Sequence, residues 1–151
     1  MRVIRKICKD DLPEIIKLSE KIHSAGDFRG NFSHGTCHTY LSDFIDRHDH
    51  MFFCFEQYEK ILGIGFFYVS DFFWDHGSKV CNEIALNANP DLTNYKKTKI
   101  LIELIDFMVK YLKERDLKYY IDIFIPFDSP LEEHLLKKDF YRNEKLMTKV
   151  T

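Results

Sequence analysis

Paired cysteines, a long hydrophobic run and a dominant charge are all missing from this chain, and each absence removes a class of protein. The four cysteines, Cys8, Cys37, Cys54 and Cys81, are scattered without a CxxC spacing, and no signal-peptide pattern precedes them. Reduced, mostly buried thiols and a cytoplasmic location are therefore expected, with no CxxCH haem attachment. Apolar stretches such as ILGIGFFYV fall far short of the ~20 residues that cross a bilayer, so no membrane partner is expected. The formal charge of −2 gives no bulk attraction to nucleic acid. Repeats, low-complexity segments and internal linkers are absent too.

What is present is enough for one core. Apolar residues make up 45% of the chain and aromatics 15%, a globular composition, and the length fits one domain over residues 1–151. RVIRKI alternates apolar and basic residues as a strand does. It leads into KDDLPEIIKLSEKI, where Asp10 or Asp11 is placed to cap a helix carrying Leu12, Ile15, Ile16 and Leu18 inward. Ser24 to Gly35 reads as a loop anchored by Phe28 and Phe32, and TCHTYLSDFIDRH as a second helix with Tyr40, Leu41, Phe44 and Ile45 on one side.

MFFCFE, ILGIGFFYVSDFFW and KVCNEIALN follow as three antiparallel strands separated by QYEK and DHGS. After Pro90 the period changes: Ile100, Leu101, Leu104, Ile105, Met108, Val109 and Leu112 recur at helical spacing. LKYYIDIFI is a further strand, and in DSPLEEHLLKKDF the residues Ser129, Pro130 and Glu132 form an S-x-x-E capping box with Pro at the first helical position. YRNEKLMTKV closes the chain as a last strand. The order β-α-α-β-β-β-α-β-α-β predicts an α/β (α+β) fold, a mixed, mostly antiparallel central sheet flanked by helices.

This order, with EIALNANPDLTNYKKTKILIELIDFMVKYLKERDLKYYIDI as strand, phosphate loop, long helix and next strand, resembles the GCN5-related N-acetyltransferase family over nearly the whole chain. The resemblance implies acetyl-CoA, or another acyl-CoA, as co-substrate and an amine-bearing small molecule or protein as acceptor. The family's phosphate loop reads Q/R-x-x-G-x-G/A, and KKTKIL is set on it, with Lys99 and Leu101 at the two small positions. Lys96, Lys97, Thr98, Lys99, Ile100 and Leu101 are thereby expected at the pyrophosphate, by side-chain charge where glycine would give backbone access. That register makes the loop two or three residues longer than usual. Leu86 and Ala88 are expected to offer backbone groups to the pantetheine arm. Asp128 falls where the family's Asn is usual, and Phe140 where its closing Phe is.

For chemistry, Glu83 resembles the family's basic glutamate, on a strand placing Cys81, Glu83 and Ala85 on one face and Val80, Asn82, Ile84 and Leu86 on the other. The Tyr that often protonates the leaving thiolate is replaced by Leu135, so neighbouring His134 is the candidate acid. HGTCH, with His48 and His50, lacks a recognised zinc spacing, and no metal site is expected. Trp74, beside Asp71, Asp75 and His76, suggests an anionic rim for a cationic acceptor. The alternative is a catalytically inactive module of the same fold that binds or self-associates as a homo-oligomer. A third reading has the lysines on nucleic-acid phosphates.

Overall fold

The computed structural model describes residues 1–26, 28, 30–115, 118–125 and 129–142. Strand β1 (Arg2–Lys6) is followed by a 3-10 turn (Lys9–Asp11), then helices α1 (Leu12–Ala25) and α2 (His34–Phe44). Strands β2 (His50–Gln57), β3 (Lys60–Asp71) and β4 (Ser78–Ala88) form a meander, and α3 (Asn94–Lys113), β5 (Lys118–Asp122) and α4 (Leu131–Lys137) complete the described chain. The five strands lie side by side in sequence order, antiparallel except for the parallel β4–β5 pair. This is the mixed, mostly antiparallel sheet flanked by helices that the element order predicts. The closing strand proposed over 141–150 lies largely outside the described residues, and Tyr141 and Arg142 are not in a strand.

The unbroken apolar run MFFCF follows from burial of β2 on both sides. Met51, Phe53 and Phe55 face a core built with α3, while Phe52 and Cys54 face a second core built with α1 and Leu41 of α2. α3 fits closely over β3 because Gly63 has no side chain: a Cβ there would lie 2.5 Å from Ile100 Cγ2. Among the described residues no helix is long and apolar enough to cross a membrane.

Several local expectations are corrected. α2 starts at His34, two residues early, because the Ser33 hydroxyl accepts a hydrogen bond from the Thr36 N–H at 3.2 Å and caps it there; the helix ends at Phe44, short of the expected span. Asp11 does not cap α1 with its side chain. It accepts from the Cys8 N–H at 2.7 Å and pairs with Arg5 at 2.8 Å, which holds its carboxyl well below the usual range. The α4 capping box does not form. Pro130 occupies the cap itself, the Ser129 hydroxyl accepts from the Leu131 N–H at 3.3 Å, and Glu132 pairs instead with Arg142. The loop expected over 24–35 is shorter, since α1 runs to Ala25 and α2 starts at His34; the Phe28 and Phe32 rings lie 5.9 and 5.8 Å from that of His23, with Phe28 left 51% exposed.

Candidate active site

Strict alternation fails on β4 at one residue. Phe67 pairs with Glu83 and Phe66 with Ala85, so Ile84 is an extra residue in a bulge. Beyond it the faces exchange: Leu86 and Ala88 share the α3-side core with Cys81, whereas Ile84 and Ala85 pack toward α1. Leu86 is therefore not opposite Cys81, as the sequence period predicts, but on its side.

The second irregularity lies at the other edge of β4. Its parallel pairing with β5 covers Ser78 to Asn82 against Lys118 to Asp122 and stops. From Glu83 to Ala88 that edge meets no strand among the described residues, so its backbone groups are open to another partner. Glu83 stands where the strands part, and its carboxylate accepts a hydrogen bond from the Phe124 N–H at 2.8 Å. Burial pushes this carboxyl up to about 7, against the opposing effect of that hydrogen bond. It is thus balanced to hold or release a proton near neutral pH.

At the far end of the open edge, Asn87 and Ala88 line a cavity of about 460 Å³ walled by the end of α1, the first turns of α3 and the start of α4. The turn over residues 89–93 is fixed locally. Asn89 N–H donates to Leu62 O at 2.8 Å, and the Asn89 side-chain oxygen accepts from Asp91 N–H at 3.0 Å. Asp91 pairs with Lys21, tying the turn to α1. Thr93 caps α3, its hydroxyl accepting from Lys96 N–H at 3.4 Å and its carbonyl from Lys97 N–H at 2.9 Å. The N–H groups of Asn94 and Tyr95 are left without a hydrogen-bond partner among the described residues.

The predicted phosphate residues separate on this frame. All six from Lys96 to Leu101 are helical, not loop. Lys97, Thr98 and Leu101 face the cavity, while Lys96 and Lys99 are exposed away from it and Ile100 is buried against Gly63. Asp128 lies outside the described residues. Sequence reasoning missed Asn87, Asn94 and Phe28 on the cavity wall. Only Asn94, one residue past the cap, carried a sequence signal: Thr followed by a long apolar period marks a helix start.

The remaining candidates are not part of this cavity. His134 lies 3.3 Å from Asp106 and lines a separate depression between α3 and α4. Leu135, in the position expected for Tyr, is buried in the core. His34 faces Glu20 at 3.0 Å, His38 faces Ser42 at 3.4 Å, and among the described residues no three His, Cys, Asp or Glu side chains come together as a metal site. Phe73 and Trp74 are 85% and 82% exposed on the β3–β4 connection, but Asp71 pairs with Lys79 and Asp75 with Lys118 at 3.8 Å, so the expected anionic rim is neutralised.

No family model matches the chain, and comparison with curated protein sequences finds no match. Solved structures do match. An aminoglycoside acetyltransferase from an uncultured soil metagenomic sample, in complex with trehalose, is 17% identical with a TM-score of 0.70, over 99% of this chain and 95% of its own. Glucosamine-6-phosphate N-acetyltransferase from Arabidopsis thaliana is 14% identical with a TM-score of 0.73, over 99% of this chain and 98% of its own. A predicted acetyltransferase from Clostridium acetobutylicum, solved with acetyl-CoA, is 15% identical with a TM-score of 0.70, over 100% of this chain and 96% of its own. The mostly antiparallel five-stranded sheet flanked by helices and these likenesses agree: the chain has the fold of the GCN5-related N-acetyltransferases.

Proposed function

We propose that the chain transfers an acyl group, acetyl first among them, from acyl-CoA to an amine by direct attack. The observation that carries this reading is Glu83, half-buried at the parting of β4 and β5 with its carboxyl pushed up to about 7. As the amine nitrogen attacks the thioester carbon, its proton passes to the Glu83 carboxylate, the C–S bond breaks, and the thiolate takes a proton from solvent. Cys54 and Cys81 are buried and raised to about 11 and about 12, so neither of these two serves as a thiolate nucleophile.

Binding is assigned to this chain's own groups. The open edge at Leu86 and Ala88 would hold the pantetheine amides, and Lys97, Thr98 and the N–H groups of Asn94 and Tyr95 would meet the pyrophosphate at the start of α3. Moved three residues upstream, the pattern Q/R-x-x-G-x-G/A runs over Thr93, Asn94, Tyr95, Lys96, Lys97 and Thr98, and coincides with the helix start. The extra loop residues then vanish, and the two small positions become Lys96 and Thr98. An amine such as an aminoglycoside or an amino sugar phosphate, as named for the similar structures, is the acceptor class to try first.

The test is calorimetry with acetyl-CoA followed by turnover on a panel of amines. Saturable binding and acetylation lost in Glu83→Gln support the reading; absence of acetyl-CoA binding overturns it. A second reading, an inactive module of this fold, is favoured by buried Leu135 in place of an acid and by the missing loop glycines. It predicts self-association without acetyl-CoA binding.

A further inference from the structure

Helices α3 and α4 enclose a second depression, of about 320 Å³, which the acyl-transfer reading does not use. Its floor is apolar: Ile105 and Leu135 are buried, and Val109 and Phe140 are partly covered. Around it stand Lys110, Lys113 and Lys138, exposed ammonium groups that form no ion pair among the described residues. The one carboxylate among the lining residues, Asp106, already faces His134 at 3.3 Å. Helix dipoles favour lysines near the ends of α3 and α4, but they do not explain an apolar floor left open between those lysines.

We infer that this depression binds a small amphiphilic carboxylate, its apolar body on the floor and its carboxylate among the three lysines. The size sets the class: 320 Å³ lies at the low end of the roughly 300–1,000 Å³ typical of small-molecule pockets. Charge sets the sign, since among the described lining residues three lysines face one carboxylate, Asp106. The site shares α4 with the acyl-CoA cavity, where Leu131 forms part of the wall one turn before Leu135. The inference stands on these residues alone and holds whether or not the chain transfers acyl groups.

Octanoate is the probe and octanamide its neutral control, each titrated into the full chain by NMR. Octanoate is expected to move the amide resonances of Val109, Lys110 and Phe140 saturably. The double variant Lys110→Glu with Lys113→Glu is expected to weaken octanoate about tenfold, from lost attraction and added repulsion at partly screened sites, and to leave octanamide unchanged. Shifts confined to Thr98 and Leu101, equal binding of the two probes, or octanoate binding insensitive to the charge reversal would each overturn the inference. Phe140→Ala checks the floor separately: it should weaken both probes alike, and no change in either also counts against the site.

Discussion

The Phe124 backbone N–H donates to the Glu83 carboxylate across the point where β4 and β5 cease to pair. Two strands that continued in register would pair the Phe124 N–H with a backbone carbonyl of β4 and close the edge. Here a side chain bridges the opening, which fixes the carboxylate, and the next five residues of β4 pair with no strand along that edge among the described residues. Fold irregularity and candidate base are thus one feature.

Glu83→Gln keeps an acceptor for Phe124 N–H but removes the proton site. Its rate of acyl transfer should fall about 10²–10⁴-fold, and the wild-type rate should rise with pH through a single ionisation near 7, as the carboxyl loses its proton. Stability runs the other way. The folded carboxyl holds its proton more tightly than the unfolded one, so stabilisation present below pH 4.5 is lost as pH rises through about 7. Against wild type, the Gln variant should gain of the order of 1–3 kcal/mol above pH 7, measured by denaturant unfolding at several pH values.

Lys97 and Lys99 look equivalent in sequence but not in space. Lys97 faces the cavity and Lys99 is exposed away from it. Lys97→Ala should weaken acetyl-CoA about tenfold or more by calorimetry, as for loss of a charged hydrogen bond, while Lys99→Ala should stay within about twofold. Equal effects would mean that the lysines act only as diffuse charge.

Much of the fold was legible because its signals are periodic. The recurrence from Ile100 to Leu112 defines the buried face of α3, and the apolar runs of β2 and β3 reflect strands covered on both sides. What period cannot register is a single extra residue. The Ile84 bulge moves Leu86 to the opposite face while leaving the strand's composition unchanged. Nor do the three lysines mark where α3 begins: the Thr93 cap does, three residues before Lys96. Glu83 was singled out by the family resemblance; its Phe124 partner, 41 residues away, depends on tertiary structure.

Gly63 should tolerate no side chain. A Cβ would meet Ile100 Cγ2 at 2.5 Å and Leu104 Cδ1 at 3.4 Å, and a β-branched isoleucine on a helix has little rotamer freedom to retreat. Gly63→Ala should cost about 1–3 kcal/mol by overpacking, read as a lower denaturation midpoint. Adding Ile100→Ala should recover part of that loss, giving a coupling term in a double-mutant cycle that independent sites would not show.

The β2–β3 turn holds the opposite opportunity. Tyr58 and Glu59 both have positive φ, 53° and 58°, the two-residue geometry that suits the right-handed twist of the strands and normally selects Asn-Gly. Each L side chain in that region costs on the order of 1–2 kcal/mol, and the flanking Gln57–Lys60 pair imposes it. Glu59→Gly removes the Cβ clash but enlarges the freedom of the unfolded chain, so the net gain should be about 0.5–1 kcal/mol. Tyr58→Asn with Glu59→Gly should gain more, since Asn enters the left-handed region more readily than Tyr. Thermal unfolding of both variants checks this. A midpoint that falls in both would mean that the Tyr58 and Glu59 side chains contribute more to the hairpin than their backbone strain costs.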